Sequence, residues 1–165
     1  MTSKTVVAVS GALVVTAYAA LLAVNALVLD PLAAVPGKSL SEIYATVDAM
    51  GMNSRQDVVG VLVTAGIGVV LAVGFAIAAI WKEIPVPVAL VCHLALVACG
   101  AGAVFQSGFF LGMDVADSFG VSGGAHGMGA AVLYGTSLAA LVAIPAVLFL
   151  FLTMVQTLRR ARTAA

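Results

Sequence analysis

Polar residues in this chain are confined to short breaks between four long apolar runs, at about 5–29, 57–81, 85–112 and 127–157. Each run is long enough to cross a bilayer core of about 30 Å, which takes about 20 helical residues. The second and third are parted only by the stretch WKEIPVP, a tight hairpin in which Pro85 and Pro87 suit the first turn of the next helix. Trp81 beside Lys82 fits an anchor at the membrane interface. The first run, Thr5 to Leu29, carries an A-x-A-like Ala17-Tyr18-Ala19 but exceeds a signal-peptide core of about 7–15 residues, and is read as a retained span.

The breaks have their own pattern. In the connection over residues 30–56, Ser39-x-x-Glu42 makes a capping box, Leu40, Ile43, Tyr44 and Val47 recur at helical spacing, and Gly51 is a stop. These features predict a short amphipathic helix on the surface of the bundle or membrane. Ser54-x-x-Asp57 is a second capping box that opens the next span and assigns Asp57 to capping. The connection over 113–126 is Gly-rich and expected to be mobile.

Composition agrees with the pattern. Of 165 residues, 63% are hydrophobic and 8% charged, with mean hydropathy +1.20, where a soluble domain carries about 25% charged residues. The formal net charge is zero, which argues against nucleic acid as a partner. Lys4, Lys82, Arg159, Arg160 and Arg162 fall on one side of the predicted membrane, and only Lys38 and Arg55 on the other. The positive-inside rule then places both termini in the cytoplasm and the loops 30–56 and 113–126 outside. The expected protein is an all-α integral membrane protein of the cell membrane: one four-transmembrane-helix bundle over 1–165 with a short amphipathic helix in its first outer loop. The four-span layout resembles that of claudin-type tetraspan proteins in topology alone, since the outer loops hold neither tryptophan nor cysteine.

Columns of small residues predict how the helices meet. Ala8, Ala12, Thr16 and Ala20 form one; Gly60, Thr64, Gly68, Ala72 and Ala76 a second; Ala95, Cys99, Ala103 and Ser107 a third; Gly127, Ala131, Gly135, Ala139 and Ala143 a fourth. Such residues let backbones approach closely in lipid, where packing drives association. Cys99 is thereby a packing residue. Cys92 and Cys99 stand about 10 Å apart along one helix, too far for a disulfide. Pro145 should kink the fourth span.

Few polar residues can carry chemistry. His93 lies about 12 Å in from the cytoplasmic end of its helix, a depth at which an imidazole should face the bundle. It is read as a neutral side chain hydrogen-bonded to a neighbouring helix, or else as a proton relay or cofactor ligand. His126 is more than about 25 Å away along the membrane normal, so the two cannot clasp one haem within a subunit. Met50, Met52, Met113, His126 and Met128 gather on the outer side, and thioether and imidazole donors without thiolates suit Cu(I). Asp114 and Asp117 beside them would attract a cation, while the alternative is plain packing. Asn25, Thr64, Gln106 and Tyr134 form a polar layer within about 10 Å of the outer helix ends, either lining a pocket or joining helices.

Hydrolytic constellations are missing: there is no Ser-His-acid set and no H-E-x-x-H element, and each acid is assigned to a helix end or a loop. Three function classes follow. The first is a non-catalytic accessory or scaffold subunit that packs against other membrane protein subunits or self-assembles as a homo-oligomer. The second is a copper-handling membrane protein using the outer Met/His set. The third is a small-molecule carrier or redox subunit using His93.

Overall fold

Pro31 shows how local chemistry shapes the first span. The computed structural model describes residues 2–163; Met1 and the last two residues of the span of 1–165 lie outside it. Thr2 caps α1 (Ser3–Val24), its hydroxyl accepting the Thr5 N–H at 3.4 Å. The helix then widens into a π-helical turn, Asn25–Leu29, and continues as α2 (Asp30–Ala34). Pro31 has no N–H to give to the Leu27 carbonyl, and Tyr44 supplies the missing donor: its hydroxyl bonds Leu27 O at 2.7 Å. The first apolar helix thus runs to Ala34 rather than ending at Leu29.

Tyr44 belongs to α3 (Leu40–Ala49), which opens on a complete capping box: Ser39 Oγ accepts from Glu42 N at 3.3 Å, and Glu42 Oε2 accepts from Ser39 N at 2.7 Å. Gly51, at φ +87°, takes the left-handed conformation that ends it. Ile43 and Val47 are fully buried against Ala34, Val35, Leu111 and Val115. The apolar stripe of α3 therefore rests on the bundle.

α4 (Ser54–Trp81), α5 (Val86–Phe119) and α6 (Met128–Thr163) complete the set. With the first helix they make four helices long and apolar enough to cross a membrane. The cap of α4 is Asn53, whose Oδ1 accepts the Gln56 N–H at 3.2 Å, so the predicted cap lies one residue late and Asp57 is not a capping residue. α5 follows Pro85, with Pro87 in its first turn, and runs through Phe119 to Gly120, whose φ of +66° closes it. The acidic stretch after Gly112 looked like loop because Asp114 and Asp117 mask a helical stripe, Leu111, Val115 and Phe119, that packs beside α3. Pro145 lies inside α6, which continues through it.

α5 is the central helix, packing on α1, α4 and α6; α1 packs on α4 and only lightly on α6. The core between them is built of Val15, Tyr18, Leu22, Val61, Ala72, Val97, Val104, Leu133 and Ala140. The predicted columns contribute unequally. Ala8, Ala72, Ala76 and Ser107 are buried, but Cys99 is exposed and so are Ala131, Gly135 and Ala139. The side of α6 that meets the bundle is instead Ala130, Leu133, Ser137 and Ala140.

The closest helix approaches occur elsewhere, at three glycines that each receive a larger polar side chain. A Cβ at Gly11 would lie 2.5 Å from the His93 ring, one at Gly100 would overlap Tyr18, and one at Gly129 would overlap the Asn25 carboxamide. Small residues do bring the helices together, but as sockets for bulky polar partners as well as smooth columns.

Candidate functional site

His93 is 3% exposed and sits on Gly11 in the half of the bundle that holds the termini. Its Nδ1 donates to Ala89 O at 2.8 Å, one turn earlier on its own helix. This corrects the expected bond to a neighbouring helix: the tie to α1 is contact with Gly11. The other ring nitrogen of His93, Nε2, is buried and has no hydrogen-bond partner among the described residues. Beside it runs an apolar groove of about 260 Å³ lined by Val6, Val14, Leu90 and Leu94, among others.

A hydrogen-bond chain crosses the middle of the bundle. The Tyr18 hydroxyl donates to Ser137 Oγ at 2.8 Å, and the Ser137 hydroxyl donates to Val97 O at 2.9 Å. It joins α1, α6 and α5 in a region without water, where a polar group without a partner is expensive.

The polar layer predicted near the other end is split in two by α5. Asn25 and Tyr134 line a cavity of about 170 Å³ roofed by Gly123, Gly124 and Ala125. Asp30 anchors that roof: its Oδ1 accepts the N–H groups of His126 at 2.7 Å and Gly127 at 3.3 Å. A segment expected to be mobile is thus tied to the end of the first helix. Asn25 Oδ1 is buried without a partner.

Thr64 and Gln106 line a different pocket, of about 210 Å³, between α4 and α5, with Gln56, Asp57, Gly60, Val61, Ser107 and Phe110. The carboxyls of Asp57 and Asp114 lie within hydrogen-bonding reach of each other. Among the described residues, Asp57 Oδ2 and Ser107 Oγ are buried without a hydrogen-bond partner of their own. Sequence reasoning missed this pair, because Asp57 was assigned to a cap and Asp114 to a loop. The available signal was the helical stripe that carries α5 past residue 112.

Three of the five residues of the outer Met/His set, Met52, Met113 and His126, have contacts within the protein. Met52 receives the Ser118 hydroxyl at 3.8 Å and packs beside the α3 core. Met113 lies against Gly123. His126 Nε2 is paired with Ser122 at 3.1 Å, and its Nδ1 is 3.9 Å from Asp30. Met50 and Met128 are exposed. Among the described residues, no group of three or more His, Cys, Asp or Glu side chains is placed to hold a metal ion. Cys92 and Cys99 are free thiols.

No protein-family model, no curated protein and no solved structure matches the chain. The fold and its apolar surface define a multi-pass helical membrane protein.

Proposed function

We propose that the chain is a non-catalytic subunit of the cell membrane, an accessory or scaffold protein that assembles with other membrane helices through α6. The observation that carries this reading is the outward-facing column Ala131, Gly135 and Ala139. A Cβ at Gly135 would meet nothing within 4 Å. In the apolar 18-residue stretch of α6 only 6% of residues are buried within the chain, against 33% in that of the first span. Lipid can cover such a face, but a column of small residues gives lipid little to grip and gives another helix backbone a close approach. In this reading both termini are cytoplasmic, because the basic residues at the two ends and in the α4–α5 hairpin outnumber those at the opposite end.

The test is gentle-detergent extraction of a C-terminally tagged chain from its own host, with mass determination by light scattering and identification of co-purifying proteins. The expected result is an oligomer or a stoichiometric membrane partner, released by Gly135→Leu. Recovery of the wild type alone as a monomer would refute the reading.

A further inference from the structure

The pocket between α4 and α5 has an unusual donor balance. Its polar wall consists of oxygen-bearing groups: the Asp57 carboxyl, the Gln56 and Gln106 amides, and the Thr64 and Ser107 hydroxyls; Asp114, outside the lining, stands against the Asp57 carboxyl. Among the described residues, no lysine, arginine or histidine lines it. Thr64 is already committed, its hydroxyl donating to Gly60 O at 2.9 Å. Ser107 is not: it is 5% exposed, lines the pocket, and its Oγ has no partner. A buried hydroxyl or carboxyl oxygen without a hydrogen-bond partner is unfavourable, so Ser107 and Asp57 both favour a bound donor. A proton shared between them or a bound cation relieves the repulsion of two facing carboxyls. Val61, Gly60 and Phe110 make the remaining wall apolar. A volume of about 210 Å³ is far more than a bare metal ion needs and lies below the roughly 300 Å³ of drug-sized sites.

We propose that this pocket binds a primary ammonium group carried on a small, partly apolar body, with Asp57, the Gln106 amide oxygen and the unpartnered Ser107 hydroxyl oxygen receiving its three N–H bonds. A primary ammonium offers three donors and no acceptor, the complement of a wall rich in acceptors. Asp114, against Asp57 but outside the lining, positions that carboxyl and adds negative charge behind it. Val61 and Phe110 cover the carbon body, and the ring face of Phe110 adds attraction for the cation. The same chemistry is presented by a soluble alkylamine and by the headgroup of an ethanolamine phospholipid. The proposal goes beyond assembly through α6 and does not depend on it, since α6 contributes nothing to this pocket.

The experiment uses the purified full chain in phosphatidylcholine nanodiscs, titrated with butylamine while thermal unfolding is followed. A second set of nanodiscs contains phosphatidylethanolamine in place of part of the phosphatidylcholine. Butylamine should raise the midpoint saturably, and tetramethylammonium, which has no N–H, should do so at least 10-fold more weakly. Asp57→Asn and Asp114→Asn should each weaken the response 10-fold or more, and Gln106→Leu by a smaller factor. Asp117→Asn, exposed on the same helix, should leave it unchanged. A stabilisation by the ethanolamine lipid that Asp57→Asn abolishes assigns the headgroup as the source; a response to butylamine alone assigns a soluble amine. No response to either probe overturns the proposal. So does an equal response to sodium or calcium chloride, or an unchanged response in both Asp variants. The α6 variant Gly135→Leu should bind butylamine normally, which keeps failure of the assembly reading distinguishable from failure of this one.

Discussion

Replacing Ser137 with alanine removes one hydroxyl from the hydrogen-bond chain that joins α1, α6 and α5. Ser137 accepts from Tyr18 at 2.8 Å and donates to Val97 O at 2.9 Å, so the substitution deletes two bonds and leaves almost no cavity. Val97 O keeps its bond from within α5, while the Tyr18 hydroxyl falls back on Leu133 O at 3.4 Å. Interhelical bonds inside membranes average about 0.6 kcal/mol each and reach about 1.7. Ser137→Ala should therefore cost about 1–3 kcal/mol, and Tyr18→Phe about 0.6–1.7 kcal/mol, because Ser137 retains Val97. The double variant should cost little more than Ser137→Ala alone, giving a coupling of about 0.6 kcal/mol or more. The assay is reversible unfolding in mixed micelles, followed by helical circular dichroism and by thiol labelling of Cys92. The chain matters for α6 in particular, since Ser137 is one of four buried residues described on that helix. Strictly additive costs, or a Ser137→Ala cost below about 0.3 kcal/mol, would refute the cooperative three-helix arrangement.

Two further outcomes concern α3. Tyr44→Phe should cost about 1–3 kcal/mol by stranding the Leu27 carbonyl that Pro31 cannot serve, read as lost amide protection in α3 and the π-helical turn; unchanged protection would count against that pairing. The Ser39 N–H, the Ser39 hydroxyl and Lys38 hold the Glu42 carboxyl below its ordinary value of 4.5. Its contribution to the α3 cap is therefore full above about pH 4.5 and is lost as pH falls through the lowered value, and Glu42→Gln should remove this acid dependence of the α3 protection factors.

The chain by itself determined that four helices cross a bilayer, since a run of apolar residues longer than about 20 has few other stable solutions in water or lipid. It also determined the α3 cap, because Ser39 and Glu42 act within one turn. Both signals are local. What the sequence left undecided depended on which direction each helix face points. The column on α6 looked like those on α1 and α4, yet tertiary packing turned Ala131, Gly135 and Ala139 outward and set Ser137 inward. Asn25, Thr64, Gln106 and Tyr134 sat at similar depths, and only the position of α5 between them separated two pockets. His93 was legible as a bundle-facing residue, but its socket at Gly11 lies 82 positions away in sequence. The Asp57–Asp114 pair was the least legible, because each acid alone had an adequate local explanation. Periodicity encodes where a residue stands along a helix and on which stripe; the neighbour that stripe meets is chosen by long-range packing, and the pockets follow from that choice.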